Sequence, residues 1–139
     1  TIYPLAVDYT DDLLLQEELL LAIRMHGPPA IAICYIHDTA PQAPSAIAGL
    51  LDKEVQKCNY LHVRGSESAN PEKEDNPFRT TVGRLKHINY VEVILGFVVE
   101  DGGSRWLTDE EITEGITKAM ETKESLYVIG QVEPWEMHP

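Results

Sequence analysis

Basic side chains, cysteines and long apolar runs are all scarce in this sequence, and each shortage removes a class of function. Eleven Lys and Arg stand against 23 Asp and Glu, a formal charge of −12. Nucleic-acid phosphates and anionic lipid repel such a chain. The densest basic group, Arg79, Arg84, Lys86 and His87, reads as a solvated face rather than the stripe that nucleic-acid binding needs, so no nucleic-acid partner is expected. The longest apolar stretch, Ile88–Val99, is interrupted by Glu92. It is too short for a spanning helix, and no membrane association is expected.

The two cysteines, Cys34 and Cys58, are too few for a disulfide framework, and neither lies in a CxxC or CxxH motif that would mark structural zinc. The five histidines, at 26, 37, 62, 87 and 138, include no pair at compact metal-ligand spacing. Nucleotide-binding glycine loops, the P-loop, HExxH, GxSxG and the EF-hand loop are all missing. No metal and no cofactor is therefore expected. The chain begins at Thr1 with no basic-then-apolar leader. An N-terminal threonine can act as a nucleophile with its own amine as base, but nothing downstream resembles the partner set, and leader removal or trimming accounts better for it. The expectation is a soluble protein, either cytoplasmic or secreted after leader removal.

What is present is enough to build a core. The chain has 139 residues, of which 43% are apolar; this fits one globular domain over 1–139. Ile2–Asp8 reads as a short strand whose Pro4 places it at an edge. Thr10, Asp11 and Asp12 then cap a helix to about His26, stopped by Gly27-Pro28-Pro29. Its Leu-rich surface leaves only a polar wedge, as in a helix covered on more than one side. Ala30–His37 is an interior strand, apolar on both faces. Ser45 opens a second helix to about Lys57, with Ile47, Leu50, Leu51 and Val55 on one face. Tyr60–Arg64 is a third strand.

Residues 65–81, rich in turn formers and without periodicity, read as a flexible loop. Val82–Ile88 and Val91–Val99 read as strands, Gly96 marking a bulge or a close backbone approach. Thr108-Asp109-Glu110-Glu111 is a capping box opening a helix to about Lys123, with Gly115 where another element comes near. Leu126–Val132 is a last strand, and 133–139 a tail. The order β-α-β-α-β-loop-β(β)-α-β predicts an α/β or α+β domain with helices packed on a mixed sheet.

Parallel strands joined by helical crossovers share one edge at their C-terminal ends, where open α/β sheets bind ligands. That edge would gather Asp8, His37, Asp38, Arg64 and Ser66. His37 with Asp38 suits acid/base work, while Asp8, Arg64 and Ser66 suit ligand binding, Arg64 holding an anionic group. Two functions follow. The motif poverty and the apolar first helix favour a non-catalytic interaction or binding protein, such as a subunit, regulator or small secreted binding protein, with a protein partner or self-association covering its apolar surface. The alternative is a small-molecule enzyme with its acid/base site at that strand edge.

Overall fold

A computed structural model describes residues 1–73 and 75–139 of the chain. The chain adopts the expected α/β class. Helix α1 (Asp12–His26) leads into strand β1 (Ile31–Cys34), helix α2 (Ala43–Glu54) and strand β2 (Cys58–Gly65). A single 3-10 turn (Ser66–Ala69) and a short helix α3 (Phe78–Thr81) precede β3 (Ile88–Leu95). A hairpin of β4 (Phe97–Glu100) and β5 (Gly103–Trp106) is followed by helix α4 (Asp109–Ala119) and strand β6 (Leu126–Ile129). A parallel sheet runs in the order β1-β2-β3-β6, and β4 and β5 form a separate antiparallel pair.

Side chains alternate across a strand, so the two central strands carry two different faces. On one face Leu61 and Val63 of β2 join Val91, Val93 and Leu95 of β3 and Ile129 of β6 beneath α4, which contributes Ile112, Ile116, Ala119 and Met120. On the other face Cys58, Tyr60, Ile88 and Tyr90 pack with Cys34, with Ala48, Leu51 and Ile47 of α2, and with Ile23 of α1. Helices thus cover the sheet on both sides.

Local signals explain most element ends. Asp11 caps α1, its side chain accepting from the Leu14 N–H at 3.1 Å. The capping box at Thr108 and Glu111 is complete, with both reciprocal bonds made. Helix α2 starts three residues earlier than the Ser45 cap predicts, with Gln42 at the cap, because Pro44 fits its first turn. Gly115 lets α4 lie against β6: a Cβ there would meet the Ile129 side chain at 2.5 Å. Gly96 breaks the long apolar strand in two, and a Cβ on it would run into the Gln131 carbonyl. The chain passes this point on backbone bonds, Gly96 N–H to Ile129 O and Phe97 N–H to Gln131 O.

Two expected strands are not formed. Ile2–Asp8 has no strand partner and lies exposed along the surface; an apolar run becomes a strand only when a neighbour takes its backbone groups. Val82 ends the short helix α3, its N–H bonded to Phe78 O, and residues 83–87 are turns and bends rather than a strand. The element order therefore begins with a helix, not a strand. Trp106 is 51% exposed. Cys34 and Cys58 are both free, buried thiols in one cluster.

Candidate functional site

The C-terminal ends of β1 and β2 open onto a cavity of about 520 Å³. The first loop beyond β1 supplies Ile36, His37, Asp38 and Pro41, β2 supplies His62 and Arg64, and the segment leading to α3 supplies Lys73, Pro77 and Phe78. Three of the five residues expected at the strand edge thus line one cavity: His37, Asp38 and Arg64. Asp8 does not. It lies in the exposed segment before α1, where its carboxylate accepts from the Thr10 hydroxyl at 2.6 Å and the Thr10 N–H at 2.9 Å, bonds that hold it below the usual carboxylate range. Its distance from the sheet follows from the missing first strand. Ser66 is buried at the end of β2 but borders a neighbouring hollow with Tyr35, Leu95 and Trp106.

Beneath the cavity, strand alternation delivers a layer of polar side chains. His62 and Arg64 lie on the same face of β2, and Tyr90 and Glu92 on the matching face of β3, with His62 paired in register to Glu92. No long helix covers this patch. The Asn76–Arg79 segment folds over it instead, and three of its four residues are committed there. Asn76 is buried and its side-chain amide donates to Tyr90 Oη at 2.8 Å and to Glu92 Oε2. Phe78 meets the His62 ring edge-on at 4.8 Å. Arg79 reaches Glu92 Oε1 at 3.1 Å.

Glu92 is 1% exposed. A carboxylate so deep persists only when it is paired and hydrogen-bonded. Arg79 takes one oxygen and Asn76 the other, with Arg64 more loosely at 3.4 Å. The Arg64 guanidinium has five N–H donors, and this long contact is its one ion pair among the described residues. Its Cζ lies 6.0 Å from the centre of the Phe78 ring, within cation–π range.

The protonation of His62 can be followed through the network. Asn76 Oδ1 accepts from the Phe78 N–H at 2.9 Å, which fixes the amide so that its nitrogen points to Tyr90. Tyr90 Oη therefore accepts from Asn76, and its own proton goes to His62 Nδ1 at 2.8 Å; an O–H buried here would otherwise lack an acceptor. The imidazole then carries its proton on Nε2. Burial, with Arg64 adding to it, lowers the His62 pKa to about 4, against a smaller opposing pull from Glu92. Burial likewise raises the Tyr90 phenol to about 12. At neutral pH the site holds a neutral, oriented imidazole donor beside a guanidinium. His37 and Asp38 are exposed, and among the described residues neither side chain has a hydrogen-bond partner to orient it.

The expected edge residues did not include His62, Tyr90, Asn76 or Glu92. A signal for three of them is present: His62-Val63-Arg64 and Tyr90-Val91-Glu92 put polar groups two apart in strands whose other face is apolar. Nothing local marks Asn76, whose role depends on how the preceding segment folds back. No cluster of metal-ligating side chains occurs among the described residues, and no helix is long and apolar enough to cross a membrane. Compared with known proteins, the chain matches no family model, no curated protein and no solved structure.

Proposed function

We propose that this chain is an interaction protein that docks on a protein partner through α1. One observation carries the reading. Ten of the twelve large apolar side chains exposed among the described residues fall within the first 35 residues: Ile2, Tyr3, Leu5, Leu13, Leu14, Leu21, Met25, Ile31, Ile33 and Tyr35. In α1 three of the four such side chains are ordered, Leu13 standing apart from them. At 100° per residue, Leu14, Leu21 and Met25 (i, i+7, i+11) form one exposed stripe, while Leu15, Leu19 and Ile23 turn the other way, to the body. Glu17 and Glu18 flank the stripe on its two sides. This is the helix-in-groove pattern, anchors in a row with charge beside them.

The charge selects the kind of partner. A second copy of a chain bearing −12 brings like charge to the same rim. A partner offering an apolar groove edged with Lys or Arg is complementary on both counts. The test is titration with a synthetic groove-bearing helical bundle whose rim is lysine, against an otherwise identical bundle with a glutamate rim. The lysine form is expected to bind, more weakly at high salt, and Leu21→Ser with Met25→Ser is expected to weaken it on the order of 10-fold or more. Equal binding to both rims, or no loss in the double variant, overturns the reading. So does a dimer in sedimentation that the same two substitutions dissolve, since the occupant is then a second copy.

A second reading rests on the cavity, because His37, Asp38 and Arg64 line one space. In it the cavity takes a small molecule, Arg64 holding an anionic group and His37 with Asp38 serving acid/base steps. Loss of cavity-directed fragment binding in Arg64→Ala and His37→Ala variants supports it. A cavity that no fragment enters overturns it.

A further inference from the structure

The buried polar layer allows the occupant of that cavity to be specified, an inference that rests on the small-molecule reading. We infer that the cavity binds a small organic monoanion, a carboxylate with an apolar or aromatic body, with Arg64 and the Nε2–H of His62 as its recognition pair.

The charge balance selects a single negative charge. Glu92 is satisfied without Arg64, since Arg79 at 3.1 Å holds one oxygen and Asn76 the other. Two guanidinium groups then face one carboxylate, leaving a single surplus positive charge at the cavity floor. Arg64 is the group that carries it outward: its side chain is 23% exposed, its contact to Glu92 is long at 3.4 Å, and it lines the cavity. A planar guanidinium fork matches the two oxygens of a carboxylate. Lys73, the other cation of the lining, is paired with Glu67 at 3.1 Å. Asp38 also borders the space and has no ion-pair partner among the described residues, so the second charge of a dianion finds no free cation and meets a carboxylate.

His62 gives the second contact. It is 3% exposed, belongs to the lining, and is held on Nδ1 by Tyr90, so its free donor is Nε2–H. Among the described residues nothing accepts from that nitrogen. Among the described residues no fully buried side-chain donor lacks a partner, so this N–H opens onto the cavity, where a ligand oxygen two strand residues from Arg64 takes the place of water. The walls fit an apolar body: Ile36, Ala40, Pro41, Pro44, Pro77 and the Phe78 ring. The neutral imidazole and one guanidinium together recognise one carboxylate, and the cavity of about 520 Å³ leaves room for a ring behind it.

The experiment titrates the whole chain with benzoate, its neutral isostere benzamide and the dianion phenyl phosphate, followed by amide and side-chain NMR shifts. Benzoate is expected to shift Ile36–Asp38, His62–Gly65 and Phe78, and to bind about 10-fold or more tightly than benzamide, the scale of a charge-assisted bidentate contact. Phenyl phosphate is expected to bind no more tightly than benzoate. Arg64→Gln is expected to erase the difference between benzoate and benzamide, and Arg64→Lys to keep only part of it. If Arg64→Gln does not fold, the ranking of the three probes on the native chain still decides.

Benzamide binding the cavity as well as benzoate overturns the monoanion while sparing the small-molecule reading. Tighter binding of phenyl phosphate does the same. Shifts scattered outside the cavity, or none with any probe, overturn both.

Discussion

The two faces of β2 and β3 are built from alternate residues of the same two strands, yet they do opposite things. Beneath α4, Leu61, Val63, Val91 and Val93 are almost completely buried in one apolar cluster. One residue along, His62, Arg64, Tyr90 and Glu92 form a bonded polar layer roofed by four residues of a connecting segment. A dry face is held by contact area and tolerates no gap. A polar face is held by partners, and each member depends on the others. Stability and recognition can thus be divided between the two sides of one sheet.

The largest expected effect comes from opening a gap on the dry side. Leu61→Ala removes a fully buried side chain and is expected to destabilise the fold by about 3 kcal/mol, measured by denaturant unfolding, with no change in benzoate affinity of the molecules that remain folded. If affinity falls as steeply as stability, the two faces are not separable. Next comes Arg79→Ala on the polar side. It deprives the buried Glu92 of its nearest cation, but Arg64 remains at 3.4 Å and half of the Arg79 side chain is in solvent. A loss of about 1–2 kcal/mol is expected, below that for a fully buried pair. Because Arg64 is then drawn onto Glu92, benzoate binding should weaken as well. Unchanged affinity would show that Arg64 has no surplus charge to lose.

The third effect is a slope with pH. His62 titrates near 4 in the folded chain and near 6.5 when unfolded. Between those values the unfolded state binds the extra proton, so stability rises with pH across the window and is lost as pH falls from about 6.5 to 4. Above 6.5 the dependence on this group vanishes. Thermal melts from pH 4 to 7 should therefore show a shallower fall in His62→Gln than in the parent chain. Parallel curves would mean that the imidazole is not held neutral.

Much of this architecture can be read from the sequence because several elements carry their own ends. The capping box at Thr108–Glu111 and the Gly27-Pro28-Pro29 stop after α1 need no knowledge of the rest of the chain. Ile2–Asp8 and Val82–Ile88 show the limit. Both have strand-like composition, but a strand is defined by a partner, and neither has one. Site residues divide in the same way. His37, Asp38 and Arg64 follow from where parallel strands end. Asp8 was placed with them only through the strand that does not form. Glu92 looks like an interruption in an apolar run until its register with His62 is known. Asn76 becomes visible only when a segment without periodicity folds back over the sheet.

That sheet has a consequence for how the molecule reaches its native state. Every pairing in it is parallel, joining Ile31 to Asn59, Cys58 to Ile88 and Glu92 to Leu126. Each closes a loop of about thirty residues before its first bond forms, and no hairpin lies within the sheet to start it. The antiparallel pair β4–β5 and the capped helices can assemble locally and quickly, but the sheet cannot. The rate of folding is thereby set by long-range meeting of strands, and the polar layer, which needs both β2 and β3 in register, is complete only once that meeting has occurred.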